Sequence, residues 1–250
     1  MKANSVAHKF RQAGKHSKKL LAVLVDPDKA DPEYLDEVCK HAEQGADLFF
    51  VGGSLLTHGN ISDTVLGLKR RSAVPVVLFP GSPSQITENA DAILFLSLLS
   101  GRNPDTLIGQ QIMAAPFLKR SKLEVISTAY LLIESGRQTT ASYISNSTPI
   151  PADKPGIAAS TAIAGELLGF STIYMDAGSG AQNPISAKMI KKVKESIDIP
   201  LIVGGGLNSL RKIEEAMLAG ADVLVIGSAV EANPAFIKDV SKLLEQYNKK

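Results

Sequence analysis

Tryptophan is absent from the chain and cysteine occurs once, at Cys39. A lone thiol excludes an internal disulfide, and inside a helical pattern it reads as a buried, inert side chain. The four histidines, at 8, 16, 41 and 58, show no ligand spacing, which argues against a zinc site. No apolar run approaches the roughly 18 residues that a membrane-spanning helix needs; the longest candidates, LLAVLV and AILFLSLL, are strand-sized. Residues 1–19 hold no apolar core of a secretory signal, so a cytoplasmic location is expected. Charge of one sign is not in excess either, with 27 Lys and Arg against 25 Asp and Glu. A nucleic-acid binder would gather a basic surplus on one face. The only basic cluster, at 11–19, is equally explained as a solvated first helix.

What is present is a periodic order. The 250 residues are 44% hydrophobic, ordinary for a globular protein with one large core. Short apolar runs rich in β-branched residues occur at 20–26, 48–53, 76–80, 92–97, 124–133, 172–177, 201–206 and 223–228. Their apolarity is continuous rather than alternating, which marks strands buried on both faces of a parallel sheet. Helical patterns lie between most of them, at 31–45, 62–72, 104–120, 157–169, 186–197, 209–219 and 234–248, and the gap after the third run allows only a short helix. Asp31 before Pro32 and Asn233 before Pro234 read as N-caps followed by first-turn prolines. Gly45 and Gly220 each precede Ala-Asp and a strand, so a positive φ is expected there. Eight βα units without a linker predict one closed (β/α)8 TIM barrel spanning 1–250. An open doubly wound sheet is disfavoured by the absence of GxGxxG after the first strand.

One segment breaks the rhythm. Residues 134–156, ESGRQTTASYISNSTPIPADKPG, carry no convincing element. They follow the fifth strand, so they are expected to form a lid over the C-terminal mouth, where barrel active sites lie.

The strand ends hold the candidate chemistry. The last three strands end in AGSG (177–180), GGG (204–206) and GS (227–228). Small residues there bring backbone N–H groups close to a ligand, in the usual phosphate-binding region of this fold. A helix starting near Glu231 to Pro234 would add the positive end of its dipole. The first strand ends in Asp26-Pro27-Asp28-Lys29 and the second in Gly52-Gly53-Ser54. A carboxylate at Asp26 with a hydroxyl at Ser54 suits Mg2+, which takes few protein ligands and keeps water and substrate phosphates for the rest. Asp28 reads as a helix cap or a site residue, and Lys29 as a phosphate contact or a solvated side chain. Asp176 lies in the glycine-rich loop; a carboxylate beside a phosphate is costly, so it is expected to accept a hydrogen bond or a proton from a substrate hydroxyl. Tyr174 faces either the barrel interior or the substrate. Arg102 and Asn103 follow the fourth strand at the same rim, and Tyr130 reads as core.

The segments VDPDK (25–29), VGGS (51–54), VVLFPGSPSQIT (76–87), STAYLLIESG (127–136), IYMDAGSGA (173–181), LIVGGGLNS (201–209) and VIGSAVEANP (225–234) occur in that order. Together they resemble the geranylgeranylglyceryl phosphate and heptaprenylglyceryl phosphate synthases, and the former more closely. The resemblance runs from about residue 20 to 240 and rests on the combination of DPDK, GGS and Y-x-(E/D)-A-G-S-G. It implies a (β/α)8 barrel and a Mg2+-dependent prenyltransferase of lipid biosynthesis. Such an enzyme joins a long isoprenoid diphosphate, here favouring geranylgeranyl diphosphate, to the C3 hydroxyl of sn-glycerol 1-phosphate through an ether bond. It also implies a homo-oligomer, dimer or hexamer. Carried over by residue, it places Mg2+ at Asp26 and Ser54. It places sn-glycerol 1-phosphate at Tyr174, Met175, Asp176, Ala177, Gly178, Ser179 and Gly180, and at Gly205, Gly206, Gly227 and Ser228. Many members of the family carry glutamate where this chain has Asp176, one methylene shorter. The prenyl tail is expected in an apolar groove near the third and fourth units. Three alternatives stay open from the residues alone: another barrel enzyme acting on a sugar or indole phosphate, a flavin-phosphate barrel, and a phosphate-binding module without activity.

Overall fold

The computed structural model describes residues 5–16 and 18–249; positions 1–4, 17 and 250, at the ends of the expected domain and within the basic stretch, lie outside the described residues. The eight apolar runs form β1 (Leu20–Val25), β2 (Leu48–Val51), β3 (Val76–Leu78), β4 (Ala92–Leu98), β5 (Glu124–Leu132), β6 (Thr172–Asp176), β7 (Leu201–Gly204) and β8 (Val223–Ile226). Each pairs in parallel with its sequence neighbour and β8 closes on β1, giving the expected (β/α)8 barrel. The helices are α1 (Val6–His16), α2 (Pro32–Ala42), α3 (Ile61–Arg71), α4 (Gln110–Arg120), α5 (Thr140–Ile144), α6 (Pro155–Leu167), α7 (Ala187–Lys194), α8 (Leu210–Leu218), α9 (Ser228–Ala232) and α10 (Phe236–Asn248).

Local chemistry explains most boundaries. Asp31 caps α2, its carboxylate accepting from the Tyr34 amide at 2.8 Å with Pro32 in the first turn. Gly45 and Gly220 do carry positive φ, +141° and +113°. The aspartate that follows each has a task at the barrel floor: Asp47 accepts from the Leu21 amide and Asp222 from the Leu201 amide, both at 2.9 Å. Each carboxylate thus ties the start of the preceding strand to the next.

Three expectations are corrected. The helix expected from residue 234 begins at Phe236, because Asn233 caps a turn instead, accepting from the Ala235 amide at 3.2 Å. The helix expected near Glu231 begins earlier, as the short α9 directly after β8. The segment 134–156 is not without elements. It holds α5, opened by a reciprocal capping pair between Thr139 and Ser142, and it returns to the barrel through a bridge between Ile133 and Ile150. The capping pair consists of short polar side chains, which the apolar-period reading does not see.

Two apolar layers divide the strand side chains by their alternation. Ile173 and Met175 point outward, into the layer between strands and helices. Leu20, Ala22, Leu94, Ile126, Tyr130, Leu132, Tyr174, Ile202 and Val225 point inward and fill the barrel. At the floor α1 acts as a plug. Phe10 meets Phe50 edge-on at 6.5 Å, and the Val6 and Ala7 amides bond Glu124 at the start of β5. The barrel is therefore packed below and open only above.

Candidate active site

A cavity of about 690 Å³ opens at the C-terminal ends of the strands, within the usual size of a small-molecule site. On one side lie the ends of β6, β7 and β8. Gly178 and Gly180 have φ of +87° and +68°, and Gly205 and Gly206 of +82° and +71°, conformations that L side chains rarely adopt. The Ala177 amide bonds the Gly204 carbonyl and the Gly178 amide bonds Asp176. Among the described residues, the amides of Ser179, Gly180, Gly205, Gly206, Gly227 and Ser228 have no protein acceptor, and all six residues line the cavity. Free N–H donors gathered on adjacent strand ends suit an anion.

Two of the residues expected at this anion site do not present their side chains to it. Met175 and Ala177 are buried in the outer layer, at 0% and 1% exposure, because alternation along β6 turns Tyr174 and Asp176 inward and these two outward. Tyr174 is buried in the barrel top and lines the cavity floor, its ring stacked on Phe79 at 4.9 Å. Gly204 makes room for it: a Cβ there would sit 2.7 Å from the Tyr174 hydroxyl.

Asp176 is 7% exposed and held at both oxygens. Oδ1 accepts from the Gly178 amide at 2.7 Å, and Oδ2 from the Tyr130 hydroxyl at 2.6 Å. Burial raises its carboxyl above the ordinary range while these two bonds pull it back. Burial also drives the Tyr130 and Tyr174 phenols well above their ordinary value, so both stay neutral.

Asp26 and Ser54 lie at the ends of the neighbouring strands β1 and β2, and both line the cavity. Asp26 Oδ1 accepts from the Asp28 amide at 3.1 Å and its other oxygen has no donor among the described residues. Burial raises its carboxyl. Asp28 is a clamp on the β2–α3 loop. Its carboxylate accepts from the Thr57 amide and hydroxyl and from the amides of His58 and Gly59. Burial opposes ionisation, but these bonds outweigh it and hold the carboxyl well below the usual range. Lys29 is paired with Glu231 at 2.6 Å rather than lining the cavity. Arg102 is exposed, and Asn103 lines the cavity while its side chain accepts from the Asp105 amide at 3.0 Å.

Two residues were not singled out by the sequence. Tyr130 reads as core by its strand, and only the register of β5 on β6 places its hydroxyl on Asp176. Gln85, 4% exposed, bonds the Gly53 amide and carbonyl and the Gly81 amide, so it brackets the β2 and β3 loop ends. A polar residue in a turn segment gives no such signal.

Away from these amides the cavity becomes apolar. Ile86, Phe95, Leu96 and Ala114 line it on the side of β4 and α4, and Leu55 and Ile144 at its edge. This is the side where a groove was expected, by the third and fourth units. Its lining includes Asp26, Asp105, Asp176 and Glu231 and, among the described residues, neither lysine nor arginine. The Arg137 guanidinium stands at the rim against Gly180, so anion binding here draws on amides, on that side chain and on any cation that enters. One carboxylate oxygen and one hydroxyl, both without protein donors, fit a hard divalent ion that keeps water or phosphate as its other ligands. Among the described residues there is no cluster of three acidic, cysteine or histidine ligands that would enclose one.

Comparison with known proteins finds relatives along nearly the whole chain and solved structures with this fold. The chain is 47% identical over 232 residues to the geranylgeranylglyceryl phosphate synthase of Spirosoma linguale, covering 92% of this chain and 93% of that one. It is 42% identical over 242 residues to the synthase of the same name from Korarchaeum cryptofilum, covering 96% and 98%. Its fold superposes with a TM-score of 0.89 and 30% identity on the crystal structure of (S)-3-O-geranylgeranylglyceryl phosphate synthase from Thermoplasma acidophilum in complex with sn-glycerol-1-phosphate, over 98% and 99% of the two chains. The PcrB family profile matches residues 15–244. With barrel, glycine-rich strand ends and full-length similarity in agreement, the chain belongs to the PcrB family.

Proposed function

We propose that the protein is a prenyltransferase that joins a long-chain isoprenoid diphosphate, geranylgeranyl diphosphate in the first instance, to the C3 hydroxyl of sn-glycerol 1-phosphate and releases diphosphate. The observation that carries this reading is one cavity lined together by Asp176, by the free amides of β6–β8 and by apolar side chains of β4 and α4. A polar phosphate monoester suits the amides and a hydrocarbon tail the apolar side chains. The relatives named for this activity support it over their full length.

In this reading the phosphate of sn-glycerol 1-phosphate is held by the amides of Ser179, Gly205, Gly206 and Ser228, which leaves its far hydroxyl near Asp176. Each Asp176 oxygen keeps a second lone pair after its protein bond, so the carboxylate accepts the hydroxyl hydrogen and takes the proton as the oxygen attacks C1 of the prenyl chain. The C1–O bond to diphosphate breaks, and its electron pair leaves with the diphosphate. Asp26 and Ser54 would hold Mg2+, which when bound neutralises the leaving diphosphate. In this reading activity requires that ion, because the Asp26 and Ser54 side of the cavity is lined by no lysine or arginine among the described residues. Segment 134–156 serves as the lid: Thr139 packs on Gly178, and Ile144 and Asn146 of its inner face line the cavity.

The protein works in the cytoplasm as a homo-oligomer. Among the described residues no helix is long and apolar enough to cross a membrane. Ile112 and Met113 on α4 stand more than 60% exposed, a surface suited to a second copy. The deciding experiment incubates the protein with Mg2+, sn-glycerol 1-phosphate and prenyl diphosphates of several lengths. Prenylglyceryl phosphate formed with the C20 substrate is expected, and no transfer from any of them overturns the reading.

A further inference from the structure

We propose that Tyr130 is a positioning residue for the reaction. Its hydroxyl fixes the Asp176 carboxylate in one orientation and keeps it ionised so that it can take the proton. This rests on the function proposed above. The hydroxyl lies 2.6 Å from Oδ2, and the Gly178 amide 2.7 Å from Oδ1. The two donors come from different elements, β5 and the loop after β6. A carboxylate gripped at both oxygens cannot rotate, so the same lone pairs face the cavity in every molecule. Packing holds Tyr130 in turn. It is buried, meets Tyr174 edge-on at 5.4 Å, and meets Phe79 at 5.9 Å. Strand register puts Leu132 opposite Asp176 and Tyr130 opposite Tyr174, so the phenol reaches forward along the barrel to the carboxylate.

The need for such a donor follows from burial. A carboxylate at 7% exposure would protonate readily if it were left alone, and a protonated Asp176 accepts no proton from a hydroxyl. The groups that act on it are few. Tyr130 faces it from β5, Tyr174 lies on its own strand, and the Gly178 amide follows it; β7 contributes Gly204, without a side chain. Asp26 and Glu231 also line the cavity, at the ends of other elements. No lysine, arginine or histidine among the described residues faces it. Tyr130 is therefore the side chain on which its ionised form depends. The phenol is itself held neutral by burial, so it donates across the working pH range.

The test uses the full-length protein and Tyr130→Phe, which keeps the ring against Phe79 and Tyr174 and removes only the donor. Aspartate labelled with 13C at the carboxyl carbon is titrated without substrate, and the Asp176 resonance is identified by its loss in Asp176→Asn. Loss of a hydrogen bond to a charged acceptor should raise the Asp176 midpoint by about one to two pH units. In single-turnover transfer the Tyr130→Phe rate should fall about tenfold or more, its acid limb should move up by the same interval, and KM for sn-glycerol 1-phosphate should change less than about threefold. A packing role alone would move neither the resonance nor the limb. Should Tyr130→Phe not fold, the reciprocal measurement decides: the 13Cζ midpoint of Tyr130 should fall in Asp176→Asn. An Asp176 resonance unmoved in folded Tyr130→Phe, a Tyr130 midpoint unmoved in Asp176→Asn, or an unshifted acid limb overturns the proposal. If wild type transfers no prenyl group, the proposed function fails, while the two titrations still decide the Tyr130–Asp176 link.

Discussion

The side chain of Gln85 is bonded to the backbone of Gly53 in both directions, Nε2 donating to its carbonyl at 2.8 Å and Oε1 accepting from its amide at 3.3 Å. The same Oε1 accepts from the Gly81 amide at 3.1 Å. Gly53 precedes Ser54, so this buried amide sets where the Ser54 hydroxyl stands relative to Asp26. Gln85→Leu removes all three bonds while filling the space. The expected outcome is a rise of about tenfold or more in the Mg2+ concentration for half-maximal activity, with KM for sn-glycerol 1-phosphate little changed. Equal Mg2+ dependence in variant and wild type would show that the bracket does not position the metal site.

Removing the carboxylate beside it should have a larger effect. Asp26→Asn takes away the charged oxygen and leaves the bond to the Asp28 amide possible, so the turn survives. Activity should fall on the order of a hundredfold or more, as expected when charge stabilisation at a leaving group is lost. A Mg2+ titration separates this from misfolding, and curves that superpose would leave Asp26 as a turn residue only.

At the phosphate side the test is Gly206→Val. Its φ of +71° strains any β-branched residue, and an added Cβ would stand 3.1 Å from Pro184. The free Gly205 and Gly206 amides should be displaced, raising KM for sn-glycerol 1-phosphate at least about tenfold in a variant that still shows the circular dichroism of a folded barrel. A KM that stays put would mean the phosphate is held elsewhere.

For Asp176 the shape-preserving change is to asparagine. If the carboxylate takes the hydroxyl proton, Asp176→Asn should slow the chemical step about a hundredfold to ten-thousandfold and leave glycerol phosphate binding intact. Asp176→Glu should keep substantial activity. Single-turnover mixing is required, because slow release of an apolar product hides chemistry. A fully active Asn variant would make Asp176 structural.

Asp28 gives a prediction about stability and pH. Its folded carboxyl lies below the ordinary 3.8, held there by the Thr57, His58 and Gly59 donors. A depressed acid stabilises the fold above its unfolded value and loses that contribution as pH falls through the folded one. Asp28→Ala should therefore lower the melting temperature at pH 7 by several degrees, on the order of 5 °C. The gap between variant and wild type should begin to narrow below about pH 3.8 and disappear only as pH falls through the lower, folded value. A gap that is constant from pH 7 to pH 2 would assign the effect to shape rather than charge.

Which of these features the sequence announces depends on how far apart in the chain the partners lie. All eight strands were legible because a strand buried on both faces must be apolar at every position, whatever its neighbours. The glycine-rich ends of β6, β7 and β8, and Asp26 and Ser54 at the ends of β1 and β2, were legible for a similar reason. A residue that directly follows a barrel strand faces the mouth by position alone. Alternation also decides that Met175 points outward and Tyr174 inward, but the resemblance carried the whole run Tyr174–Gly180 over as one block and hid that division.

The barrel and the composition of its rim follow from local periodicity and from residues adjacent to strand ends. The contacts across the rim arise only when distant segments pack together. Tyr130 lies 46 residues from Asp176 and Gln85 lies 32 from Gly53, and nothing local fixes which polar group will meet which. Parallel register between neighbouring strands sets the first pair, and the close approach of two loops sets the second. Burial then turns each of these meetings into a requirement, because a carboxylate or an amide taken out of water must find its partner inside the protein.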